Sequence, residues 1–327
     1  VHQNIFVPLN MTDSFTNYAA AAPNGVALHA RLDGPIRGMG TLVKLEHGLE
    51  PHVSAPAGAI TLSAVDMGLW IAMLLDHGKL PNGNQLLSED ALRMLWTPVV
   101  VTEAHTFPGP MALANPNLAA YALGWFVEDY RGHPVIEHTG AVFGALSALY
   151  LIPDKGIGIA VSINSEDTGA RRSVVFHLLD EYLGLPQADW IGIIQTTRTQ
   201  MVDKALEALR HLPKDMLPND HSSLPIPDYA GTYSDPWYGT VTVADRGQGR
   251  LWITFDRTPG MEGALEHVAN DTFRTRFTDR GIEDAYMTFE VANGRAAKAA
   301  MRPVSPLADF SFDYADLNLS PVVTQTH

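Results

Sequence analysis

The sequence predicts an α/β (α+β) chain in two parts: a mixed domain of antiparallel strands and helices, then a small all-β barrel or sandwich. Three observations carry this. Apolar residues recur at helical spacing in several segments before residue 212. Short β-like runs lie among those helices around the turn signal Pro153-Asp-Lys-Gly156. Beyond residue 228 the pattern changes to short period-2 runs separated by turns. With 327 residues in all, two domains is the expectation from length.

The elements follow in chain order. Residues 61–78 read as a helix, with Ser63 and Asp66 in the form of a capping box and Gly78 as the stop. A short helix over 88–96 is capped by Ser88 and ended by Thr97-Pro98. The stretch 99–120 holds Pro108, Pro110 and Pro116 and reads as one long loop. Strands are expected at 121–127, 134–138, 146–152 and 157–163, with Asp129-Tyr-Arg-Gly132 as a turn. Helices follow at 168–183, before Gly184, and at 189–212. Residues 213–228 contain Pro213, Pro218, Pro225 and Pro227 and read as a linker. Strands at 229–233, 239–244, 250–255, 265–268, 272–277 and 285–291 form the β-module. The expected division is therefore 1–212 for the mixed domain, 213–228 for the linker, 229–304 for the all-β domain and 305–327 for a C-terminal tail.

Composition narrows the function. The formal net charge is −14, which repels phosphate backbones and argues against a nucleic-acid partner. There is no cysteine, so disulfides, thiolate metal sites and a cysteine nucleophile are excluded. No apolar run approaches the roughly 18 residues of a membrane helix, so no membrane partner is expected. His47 and His52, or His133 and His138, lack the i,i+4 spacing of a helical zinc site, and no metal or other cofactor is expected. The first residue is Val1, and the opening run reads as the middle of an element. The expectation is a chain that forms the later part of something longer.

The densest candidate for chemistry is Glu137-His-Thr-Gly-Ala-Val-Phe-Gly144. His138 can donate to an anion or polarise a carbonyl, and Thr139 adds a second donor. Gly140 removes side-chain bulk so that backbone can approach a ligand. A free N–H at Ala141 would complete an oxyanion hole. A strand-end histidine beside a turn glycine is the plain alternative.

His138-Thr-Gly140, followed by the hairpin over 146–164, resembles the third active-site motif of the serine β-lactamase and penicillin-binding-protein superfamily. The branch is that of class C β-lactamases, DD-peptidases, D-aminopeptidases and esterases. Further stretches carry the likeness in the right order: Ile5-Phe-Val-Pro-Leu-Asn-Met-Thr-Asp13, Ala57-Gly-Ala-Ile-Thr-Leu-Ser-Ala-Val-Asp-Met67, Tyr121-Ala-Leu-Gly-Trp125, and Ile152-Pro-Asp-Lys-Gly-Ile-Gly158 with Ser162-Ile-Asn164. Residues 229–304 resemble the small β-module that some members carry. The resemblance implies an incomplete serine β-lactamase-type domain. It implies acyl transfer through a serine nucleophile, with no cofactor, on a small-molecule or peptide substrate, and a periplasmic or secreted location. By position in the family, Tyr121 lines the substrate groove, His138 and Thr139 grip the substrate, and the Ala141 N–H serves the oxyanion.

The chain departs from the family at two points. None of its serines begins the Ser-x-x-Lys motif that supplies nucleophile and lysine, and Tyr-x-Asn is also absent. The expected function is thus that of a serine-hydrolase fragment acting on amide, peptide or ester bonds, with the nucleophile on an N-terminal fragment. The alternative is a binding or regulatory protein of the same fold without a nucleophile. The third motif also begins with His138 where most β-lactamases have lysine. A neutral histidine holds a carboxylate less firmly, which favours peptidase, amidase or esterase activity. Gly144-Ala-Leu-Ser147-Ala148 lacks the last glycine of a hydrolase elbow, so Ser147 reads as an ordinary strand residue.

Overall fold

The computed structural model describes residues 1–17, 24–45, 55–211, 221–309 and 311–322. The chain divides into two compact units, residues 1–30 with 42–200 and residues 31–41 with 201–327.

In the first unit, a six-stranded antiparallel sheet runs in the order β3 (Val100–Val101), β4 (Ala119–Tyr121), β5 (Phe126–Tyr130), β6 (His133–Val142), β7 (Ala145–Ile152), β8 (Ile157–Ile163). Two earlier strands, β1 (His29–Leu32) and β2 (Thr41–Lys44), form a separate pair. Alternation sends side chains to the sheet's two faces. Ile136, Leu149 and Leu151 pack with Ile71, Met73 and Leu74 of helix α1 (Ala64–Leu75). On the opposite face Val135, Ala148 and Ile152 pack with Val175, Phe176 and Leu179 of α3 (Thr168–Leu183). Trp190 and Ile194 of α4 (Trp190–Leu209) join this layer.

The local signals explain most boundaries. Ser63 caps α1 by accepting the Asp66 N–H at 3.1 Å. The Asp66 carboxylate does not complete a capping box. It is buried and accepts from the Asp13 N–H at 2.9 Å and the Ser14 hydroxyl at 2.6 Å, fastening the first segment of the chain to the helix. Ser88 caps α2 (Glu89–Trp96) through the Ala91 N–H. Gly184 ends α3 in the left-handed region, as its lack of a side chain permits.

Three readings are corrected. The stretch 99–120 is not one loop, because Val100–Val101 and Ala119–Tyr121 pair as the first two strands of the sheet. The strand expected at 121–127 is two strands around a turn, in which the Ala122 N–H reaches the Trp125 carbonyl and Gly124 takes φ +82°. The expected turn over 129–132 is tighter, at Arg131-Gly132 alone. Both residues have positive φ, the signature of a type I′ hairpin.

That hairpin is anchored from behind. The Asp180 carboxylate of α3, fully buried, accepts from the Tyr130 hydroxyl at 2.8 Å, the Arg131 guanidinium at 2.6 Å and the Trp190 indole at 2.7 Å. Burial and the adjacent carboxylate push the Tyr130 phenol's pKa upward, so it remains a donor.

The second unit is a closed eight-stranded barrel. Its strands are β9 (Gly231–Asp235), β10 (Gly239–Asp245), β11 (Leu251–Phe255), β12 (Glu262–Ala269), β13 (Thr272–Phe277), β14 (Ala285–Ala292), β15 (Arg295–Pro303) and β16 (Asn318–Pro321). Inward residues such as Tyr233, Ile253, Phe273, Phe277, Met287 and Leu319 fill its interior, as expected for a barrel of this size. The module is therefore a barrel, not a sandwich. The segment read as a tail contains β16, which pairs with both β15 and β9 and closes the ring. Residues 31–41 also belong to this unit, through Arg280 with Asp33 at 3.4 Å and the Arg37 guanidinium on the Gly281 carbonyl. Of the linker, 213–220 lies outside the described residues, and Ile226–Tyr229 forms a 3-10 turn leading into β9.

Two outcomes follow. A fragment ending at residue 304 lacks β16 and leaves one edge each of β9 and β15 unpaired, so the ring stays open. It is expected to melt without a cooperative transition, whereas a fragment over 221–322 melts cooperatively by circular dichroism. Asp180→Ala strands the Arg131 charge and two buried donors, and is expected to cost about 3–5 kcal/mol in urea unfolding of the whole chain.

Candidate active site

Register places the site. A two-residue I′ turn is closed by a pair that exchanges both backbone hydrogen bonds, here Tyr130 and His133. Odd-numbered residues of β6 therefore aim N–H and C=O toward β5, and even-numbered ones toward β7. β5 begins at Phe126, opposite Glu137. Thr139 and Ala141 carry the same backbone orientation past the end of β5, while β7 continues to pair on the other side, Thr139 with Ala148 and Ala141 with Leu146. The motif thus lies within a strand, not at a strand end, and its β5-side edge meets no strand among the described residues.

His138 is exposed and its ring folds onto that edge. Its Nδ1 stands 2.7 Å from the Thr139 carbonyl oxygen. A carbonyl only accepts, so Nδ1 carries the proton. Nε2 and the Tyr121 hydroxyl stand 3.3 Å apart and form a second hydrogen bond. Phe126 completes an aromatic group, 4.7 Å from Tyr121 and 5.9 Å from His138 between ring centroids. The structure therefore brings together Tyr121, His138, Thr139 and Ala141 at one open edge. Ala141 and Val142 are exposed, and Val142 lies beside Gly58 of the short helix Ala55–Gly58.

The Gly140 backbone polar groups face β7, and a Cβ there would meet the Ser147 Oγ directly across the sheet. The missing side chain leaves room for that hydroxyl. Gly144 has φ +86° and closes the β6–β7 turn against Leu28 and Leu45, where a side chain has no space.

Sequence reasoning missed what lies behind the edge. Glu137 is 8% exposed, on the α3 side of the sheet, and its Oε2 has no hydrogen-bond partner among the described residues. Burial, reinforced by Glu128, raises its pKa from the ordinary 4.5 to about 7, and Arg171 and Arg172 offset part of that rise. The Arg171 guanidinium donates to the Ser147 carbonyl at 3.0 Å. The available signal was alternation: an acidic residue two after the buried Val135 sits on an inward position of β6.

His47 and His52 lie outside the described residues, and among the described residues no cluster of His, Asp or Glu could hold a metal ion. No described helix is long and apolar enough to cross a membrane.

Comparison with known proteins gives this geometry its context. The Beta-lactamase family model matches residues 1–183, more than half of the chain. The chain belongs to the Beta-lactamase family. Residues 218–321, the barrel, match a domain of unknown function, DUF3471. Among curated relatives, the unguisins hydrolase ungD' of Aspergillus campestris is 27% identical over 242 residues, covering 72% of this chain and 43% of that protein. Penicillin-binding protein 4 of Amycolatopsis lactamdurans is 27% identical over 134 residues, 41% of this chain and 32% of that protein. The chain thus spans less than half the length of these curated relatives. Among solved structures, the octameric penicillin-binding protein homologue from Pyrococcus abyssi aligns with 97% of this chain and 58% of its own, at 16% identity and TM-score 0.45. SurE aligns at 19% identity and TM-score 0.40, over 98% of this chain and 62% of its own.

Within this member of the family, Glu137 makes stability depend on pH. Its folded pKa lies above its unfolded value, so its contribution is fully present below about pH 4.5 and is lost as pH rises through about 7. The loss is at most about 3 kcal/mol at pH 8. Glu137→Gln removes this dependence. Its stability relative to the native chain is expected to rise between pH 4.5 and pH 7 and then level off, as followed by urea melts across that range.

Proposed function

We propose that this chain carries the substrate-gripping part of a serine hydrolase that acts by acyl transfer on amide, peptide or ester substrates. The nucleophile comes from polypeptide outside these 327 residues, since no serine among them begins a Ser-x-x-Lys motif. One observation supports this reading above the others: the open β6 edge on which the Ala141 N–H, Thr139 and the His138–Tyr121 pair converge.

The chemistry follows from that edge. A serine attacks the substrate carbonyl, and negative charge develops on its oxygen. The Ala141 N–H, fixed in a strand and turned away from β7, stabilises that charge without reorganising. His138 and Thr139 hold the substrate's polar groups. The tetrahedral intermediate collapses, its C–N or C–O bond breaks, and the amine or alcohol leaves with the proton the serine gave up; water then releases the acyl group from the serine as the acid. The His138 Nδ1 proton is committed to the Thr139 carbonyl, which fixes how the ring is presented to a substrate. The missing motif favours a second reading, in which the chain binds such substrates without turning them over.

The test uses nitrocefin, p-nitrophenyl esters and D-amino-acid amides. The chain alone is expected to match a buffer control. Supplied with a segment bearing Ser-x-x-Lys, it is expected to turn one of these over. Ala141→Pro deletes the proposed donor where no strand pairs, and is expected to lower kcat/KM about 10²–10³-fold with little change in melting. Turnover by the chain alone that Ser147→Ala abolishes would place the nucleophile on β7 and overturn the reading. Ligand binding with no turnover in either form would establish the second reading instead.

A further inference from the structure

The backbone of Glu137 forms the last rung between β6 and β5, and its side chain enters the layer under α3. There it meets charged and titratable groups from every element packed around it. β5 contributes Glu128, whose own pKa burial raises and His105 lowers. β7 contributes Tyr150, directly across the register from Glu137. α3 contributes Arg171, which is buried, and Arg172, whose guanidinium lies over the Phe107 ring at 4.9 Å; burial lowers the pKa of both. One carboxylate oxygen of Glu137 stays unpartnered among the described residues, while Arg171 spends a donor on the Ser147 carbonyl. Ser147 stands opposite Gly140 with its Oγ filling the space that glycine leaves. A path of coupling therefore runs from Glu137 by charge to Arg171, through the Arg171 hydrogen bond to Ser147, and on to Gly140, the residue just before the Ala141 N–H.

We propose that Glu137 is a positioning residue for the open edge of β6, its charge state setting, through Arg171 and Ser147, how Gly140 and the Ala141 N–H are presented. When Glu137 is neutral, Arg171 has no carboxylate to compete with the Ser147 carbonyl and holds β7 in register behind the motif. When Glu137 ionises, its uncompensated oxygen draws the Arg171 guanidinium, and the bond to Ser147 weakens. The raised pKa of about 7 places this change in the neutral range. The catalytic consequence rests on the reading of the Ala141 N–H as the oxyanion donor. The structural coupling does not.

The experiment therefore reads structure and not turnover. Backbone amide ¹⁵N–¹H shifts of Thr139, Gly140 and Ala141 are followed from pH 5 to 9 in the full chain, in Glu137→Gln and in His138→Gln. The expected result is an inflection near pH 7 at Gly140 and Ala141. It persists in His138→Gln, which removes the neighbouring imidazole, and disappears in Glu137→Gln. Should Glu137→Gln fail to fold, Arg171→Gln tests the path from its other end. Loss of the favourable cation moves the Glu137 inflection to higher pH and shrinks its amplitude at Gly140. No inflection at Gly140 and Ala141, one that survives in Glu137→Gln, or one that Arg171→Gln leaves in place overturns the proposal. A failed hydrolase assay bears on the function reading alone, because none of these shifts requires a nucleophile.

Discussion

The site depends on a buried hydrogen-bonded carboxylate about 50 residues away in sequence. Asp180 fixes the turn residues Tyr130 and Arg131 against α3 and α4. With the turn fixed, the pairing of β5 with β6 has one register, because a slip of one residue would reverse every side chain between the two packed faces. That register decides which backbone groups of β6 point past the end of β5. The open edge at Thr139 and Ala141 is therefore a consequence of where a two-residue turn sits and of how short β5 is, rather than of anything special in the motif's own side chains. Removing three donors' shared acceptor would loosen the element that aims the edge, even though Asp180 touches none of its residues.

Polar groups gather both at the open edge and behind it. Beside the open edge stand an imidazole, a phenol and Thr139. Behind it, Glu128, Glu137, Arg171 and Arg172 share a desolvated layer. An isolated charge in such a layer would cost several kcal/mol. Glu137 avoids that cost below neutral pH by keeping its proton.

Much of this was legible in the sequence, and the parts that were not share a cause. Ser63, Ser88 and Gly184 act within four residues of where they stand, so the helices they bound were readable. The stretch at 138–141 was a weak signal as bare residues, and only its order among the other family-like stretches singled it out. β15 was missed because Arg295-Ala-Ala-Lys-Ala-Ala-Met301 has the composition of a helix, and only pairing with β14 on one side and β16 on the other makes it a strand. β16 was missed because four residues in a polar tail carry no period. Its identity comes from the gap between β9 and β15 that it closes. The contact of Gly140 with Ser147 was not legible because it depends on the register of the β6–β7 hairpin.

The barrel makes the contrast complete. Its interior is filled by Tyr229, Phe273, Phe277, Phe289 and their neighbours, so it offers no lumen to a ligand. In the first unit the sheet is covered on both faces as well, by α1 on one and by α3 and α4 on the other. With both faces taken, the place left for a substrate to meet main-chain donors is an edge, and the motif's edge is the one flanked by aromatic rings and a histidine. The site proposed at the end of β6 fits that constraint, and the turn at Arg131-Gly132 sets which backbone groups of β6 point past the end of β5.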